Sequence, residues 1–87
     1  MPTSRRKLIE QCAAARRIKK RFGLASAAQY LIEEKFCNFL AAGDRDPEIA
    51  RDIPAFANEI KRLFTTEEIR EHLGRRRLPR IREALQL

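Results

Sequence analysis

Histidine and cysteine are scarce in this chain: His72 is the single histidine, and Cys12 and Cys37 are the two cysteines, without CxxC spacing. A zinc site takes three or four such ligands, so neither a metal centre nor any other cofactor is expected. Glycine is as sparse, and Gly23, Gly43 and Gly74 each stand alone after a helical pattern. That excludes a glycine-rich phosphate loop. No apolar run approaches the ~20 residues of a membrane span, and the opening Met-Pro-Thr-Ser-Arg-Arg-Lys lacks the apolar stretch of a secretory signal. The expectation is a cytoplasmic protein with no membrane partner. Both cysteines fall within apolar helical patterns and are expected as buried free thiols, although a Cys12–Cys37 disulfide is allowed by count.

Groups for catalysis are equally thin. Glu33 and Glu34 are adjacent and point about 100° apart on a helix, and no Ser, Cys or His sits in a nucleophile setting. An enzyme is not expected, nor a small-molecule substrate.

What the chain does contain is positive charge. The 87 residues carry a net charge of +7, and 44% hydrophobic with 36% charged residues is the balance of one folded domain spanning 1–87, not of a disordered chain. The charge is concentrated at the ends: residues 1–22 hold eight Lys or Arg against one Glu, residues 23–64 five against seven acids, and residues 65–87 six against four. A polyanion is the natural counterpart of such ends.

The hydrophobic pattern predicts an all-α fold, a compact bundle of four to five short helices around a central helix at 27–42. There Tyr30, Leu31, Ile32, Phe36, Cys37, Phe39 and Leu40 spread round nearly the whole barrel at 100° per residue. Before it, a helix from about residue 5 to Phe22, capped by Thr3 or Ser4, carries Leu8, Cys12, Ala15, Ile18 and Phe22 on one stripe. Its cations lie on the other side. Ser26 is the expected cap of the central helix, which ends at Gly43.

Asp46 and Pro47 should open a third helix whose seam is Ile49, Ile53, Phe56, Ile60 and Leu63. Pro54 predicts a break there, with one turn at 47–51, a cap at Asp52 and a main helix over 53–64. Thr65 with Glu68 makes a capping box for a short helix that closes at Gly74. Pro79 should begin a last helix with Leu78, Ile81 and Leu85 on one face.

Residues 65–85 resemble a helix-turn-helix: a capped short helix, a glycine turn, and a second helix rich in arginine. They depart from the motif at Arg70, where a small packing residue is usual, and at Arg75, where an apolar residue is usual. The resemblance implies a small, regulatory DNA-binding domain whose flanking arginines meet phosphates. The residues expected to meet DNA or RNA are Arg75, Arg76, Arg77 and Arg80, together with Arg16, Arg17, Lys20 and Arg21 on the outer face of the first helix. The alternative is a protein-interaction module or homodimer that covers surplus apolar surface on the second and third helices and binds no nucleic acid.

Overall fold

The computed structural model describes residues 3–74, 76 and 78–87, and every described element is helical. Helix α1 runs Thr3–Phe22. Residues 24–43 then form one helical rod in three parts: α2, Leu24–Ala28; a π-wound segment, Gln29–Phe36; and α3, Cys37–Gly43. Helices α4 (Pro47–Leu63), α5 (Thr66–Leu73) and α6 (Pro79–Ala84) complete the bundle. The all-α bundle expected from the periodicity is what forms, with the rod at its centre. No described helix is long and apolar enough to cross a membrane.

The π winding changes which residues share a face. In an α-helix Leu31 and Phe36 would lie about 140° apart, whereas i→i+5 hydrogen bonding brings residues five apart close to the same side. Leu31, Ile32 and Phe36 are accordingly all fully buried. Across the same five-residue step the Lys35 ammonium sits 5.4 Å from the centre of the Tyr30 ring. The rod is therefore less apolar all round than a count at 100° per residue implies, and Cys37, expected inside, is exposed.

Three phenylalanines make the middle of the core. Phe56 of α4 meets Phe36 edge-on at 5.1 Å between ring centres and Phe39 at 4.9 Å. Leu8, Cys12 and Ala15 of α1 close one side, with Ala27 and Ala28 allowing α2 to approach; Ile69, Leu73, Ile81 and Leu85 seal the C-terminal end.

The expected caps at Asp46 and Thr65 are present. Asp46 Oδ1 accepts from the Glu48 amide at 2.9 Å, ahead of Pro47 in the first helical position. Thr65 Oγ1 accepts from the Glu68 amide at 3.1 Å while the Thr65 amide donates to Glu68 Oε1 at 2.8 Å. That backbone hydrogen bond holds the Glu68 carboxyl below its usual range. Gly74 closes α5 at φ +57, a conformation an L side chain resists.

Four details differ from the sequence expectation. Pro54 does not break α4, because Phe56, Ala57 and Ile60 beyond it and Ile53 before it pack on one seam; that packing offsets the ~3 kcal/mol of a proline in a helix interior. Asp52 therefore caps nothing and instead accepts a 2.7 Å hydrogen bond from the hydroxyl of Ser4, which is buried inside α1. The rod begins at Leu24, with Gly23 at φ +100 as the hinge and no side-chain cap from Ser26. Phe22, placed by its spacing on the core stripe, is 69% exposed, since α1 ends there and the hinge turns the chain away.

Candidate functional site

The residues expected to meet nucleic acid separate into two groups once their partners are seen. Arg16, Arg17, Lys20 and Arg21 lie in the last turns of α1, exposed to solvent, on an arc of roughly 140° and over about 7.5 Å of helix axis. Arg16 approaches Glu59 at 3.8 Å, with 60% of its side chain exposed. Arg17, Lys20 and Arg21 form no ion pair among the described residues. The Arg21 guanidinium instead lies 5.7 Å from the centre of the exposed Phe22 ring. Half a turn away on the same helix, Lys19 serves the fold, because its ammonium donates to the Leu63 carbonyl at 2.6 Å, closing α4, and sits 5.3 Å from the Phe64 ring.

Arg76, Arg80 and Arg82 are occupied within the chain. Arg80 donates from Nη1 to Asp44 Oδ2 at 2.7 Å and from Nη2 to Asp44 Oδ1 at 2.8 Å, tying α6 to the end of the rod. The paired guanidinium holds the Asp44 carboxyl below the usual carboxylate range, and the carboxylate in turn raises Arg80 above its usual value. Arg76 ion-pairs with Glu33, whose other oxygen is 2.7 Å from His72 Nε2. Glu33 thus gathers α5 and the following turn onto the π segment. Arg82 donates to the Gly74 carbonyl at 2.8 Å. Arg75 and Arg77 lie outside the described residues.

The helix-turn-helix resemblance meets a geometric obstacle in α6. It has six residues, its Ile81 and the following Leu85 are buried in the core, and Arg80 at its start is held by Asp44. The face it leaves in solvent is Pro79, Arg80 and Glu83, and Arg80 there is already paired. The surplus apolar surface that would have required a partner on the second and third helices is also covered from within: Leu31, Ile32, Phe36, Phe39, Leu40, Phe56 and Ile60 are all buried. The large hydrophobic side chains left exposed among the described residues are Ile9 and Phe22, both on α1.

The sequence shows where the cations lie but not the acids that neutralise some of them. Asp44 and Glu33 are separated from Arg80 and Arg76 by most of the chain between the rod and the C-terminus, and only the fold brings them together. Phe22 was missed because its stripe position is that of a core residue; its signal was the glycine immediately after it. Two surface grooves, of about 410 and 320 Å³, are lined by none of Arg16, Arg17, Lys20 and Arg21. The basic strip is a convex helix surface, a shape that suits an extended polyanion better than an enclosed small molecule. Comparison of the chain with protein-family models, with curated proteins and with solved structures found no match in any of the three.

Proposed function

We propose that the protein binds nucleic acid through the outer face of α1, where Arg16, Arg17, Lys20 and Arg21 meet the phosphates. The observation that carries this reading is the absence of ion-pair partners for Arg17, Lys20 and Arg21 among the described residues, while Arg76 and Arg80 are engaged by Glu33 and Asp44. Part of the cluster has a purely local reason, since cations in the last turn of a helix are favoured by its dipole at roughly 0.3–1 kcal/mol each. That reason accounts for Lys19, Lys20 and Arg21 but does not require Arg16 and Arg17 as well. Four cations on one solvent-facing arc release counterions on meeting a phosphate backbone, which makes affinity salt-dependent. Arg76 and Arg80, held by Glu33 and Asp44, are left out of this phosphate-binding face.

The test replaces Arg17, Lys20 and Arg21 together by Ala. Binding should weaken, and the slope of log affinity against log salt should fall by roughly 0.9 for each duplex phosphate no longer neutralised, or roughly 0.7 for a single strand. The circular dichroism melt should stay close to that of the parent, because these side chains are exposed and form no ion pair among the described residues. A parent protein that binds neither duplex nor single strand more tightly than about 10⁻⁴ M at physiological salt would overturn the proposal.

A further inference from the structure

Phe22 ends α1 with its ring in solvent, about 100° round the helix from Arg21 and on the far side from Lys20 and Arg17, although its spacing is that of a core residue. Three features keep it there. The helix stops at Phe22, so no next turn covers the ring. Gly23 at φ +100 sends the chain away, and a Cβ built on Gly23 meets nothing within 4 Å, so the space beside the hinge is open. Arg21 holds its guanidinium 5.7 Å from the ring centre, which places a phosphate-binding group next to an aromatic face.

Resting on the reading of α1 as a phosphate-binding face, we infer that the end of α1 takes single-stranded nucleic acid, with an unpaired base stacked on Phe22, the adjoining phosphate on Arg21, and the strand passing round the helix end toward Lys20 and Arg17. Proteins that bind single strands combine a positively charged track with aromatic rings, because every base offers a π-face and a stacked pair offers none. Duplex reading would instead need an element able to enter a groove, and α6 is six residues long with Ile81 in the core and Arg80 held by Asp44. Charge also selects the occupant. An apolar protein partner would have to bury Phe22 beside the Arg21 guanidinium, whereas a nucleotide neutralises that cation in the same step that covers the ring.

The chain contains no tryptophan, so Phe22→Trp introduces a single fluorophore at the site in question. Titrating that variant with oligo-dT and oligo-U of about 12 nucleotides, a length within the usual site sizes for single strands, should quench its emission, and a blunt duplex of equal length should quench it far less. Phe22→Ala should weaken single-strand binding by between about fivefold and 150-fold, leave duplex binding within twofold and leave the salt slope unchanged; Phe22→Trp should restore the single-strand affinity. The dT and U arms separate a DNA ligand from an RNA one. Equal single-strand affinity in Phe22→Ala and the parent, with binding still salt-dependent, overturns the inference and leaves the phosphate-binding face standing. Loss of a parent dimer in Phe22→Ala, seen by sedimentation, with single-strand affinity unchanged, overturns it in favour of a second copy covering the ring. No binding by the parent to any strand removes both.

Discussion

Arg80 grips Asp44 with both terminal nitrogens, at 2.7 and 2.8 Å, and so fastens the last helix to the end of the central rod. Both side chains are more than half exposed, so this fork is a clasp between elements and not a core interaction. It also removes Arg80 from the pool of free cations. Arg80→Ala should therefore lower the salt slope of nucleic-acid binding by less than any single change among Arg17, Lys20 and Arg21, a comparison made by filter binding or anisotropy across a salt series.

The same clasp has a pH signature. The Asp44 carboxyl lies below its ordinary value of 3.8 in the folded protein, chiefly through the Arg80 hydrogen bonds. A depressed folded pKa gives stability that is present above the unfolded value and is lost as pH falls through the folded one. The melting temperature of the parent should exceed that of Asp44→Asn at neutral pH, and the two curves should converge below about pH 4, the carboxylate range of the unfolded chain. Curves separated by a constant gap down to strong acid would show that Asp44 does not titrate against Arg80.

Phe36 tests the centre of the core. It is fully buried with its ring 5.1 Å from that of Phe56, and truncation of such a ring typically costs ~3–5 kcal/mol against a total stability of roughly 5–15. Phe36→Ala should unfold the domain or bring it to the edge of unfolding. A thermal melt within a couple of degrees of the parent, where a single kcal/mol already moves a domain of this size by about 4–8 °C, would contradict the packing described.

Lys19 shows how two neighbours on one helix can act differently. Its ammonium closes α4 at the Leu63 carbonyl and faces the Phe64 ring, while Lys20 next to it points to solvent. Lys19→Met keeps the aliphatic stem and takes the ammonium away from both the carbonyl and the ring, for an expected destabilisation of about 1–2 kcal/mol measured by urea unfolding. Its salt slope should equal that of the parent, whereas Lys20→Met should do the reverse: unchanged stability and a shallower slope.

How much of this was legible follows from the range of each interaction. The capping box of Thr65 and Glu68, the Asp46-Pro47 start and the Gly74 stop are made by residues within three or four positions, and each was readable as a local pattern. The stripe Leu8, Cys12, Ala15 was readable because α1 is a regular helix. The π winding of Gln29–Phe36 was not, since it shifts every later side chain off the 100° count; it is tertiary packing of Leu31, Ile32 and Phe36, not local propensity, that rewards it. Pro54 failed as a break for the same reason. The basic face of α1 was visible as charge, but the fates of Arg76 and Arg80 depended on Glu33 and Asp44, partners that no periodicity connects to them.

The two cysteines check which side of α1 and of the rod faces the core. Cys12 is buried in the α1 stripe, and burial, with the Glu59 carboxylate adding to it, pushes its thiol up to about 11. Cys37 follows the π segment and is exposed. Only the thiolate reacts, so both the raised pKa and the lack of access protect Cys12, while the Cys37 side chain is open to solvent. A disulfide-exchange reagent at pH 8 should therefore titrate one thiol per chain rapidly in the native protein and the second only at the rate of unfolding or in denaturant. Cys37→Ser should abolish the rapid phase and leave the melting temperature nearly unchanged, whereas Cys12→Ser should spare the rapid phase and destabilise the fold. Two slow thiols would mean that Cys37 is turned inward, and two fast ones that α1 does not seal the core over Cys12. Reducing agent should leave the melt of the purified protein where it was, because the two sulfurs are free in the structure and face different surroundings.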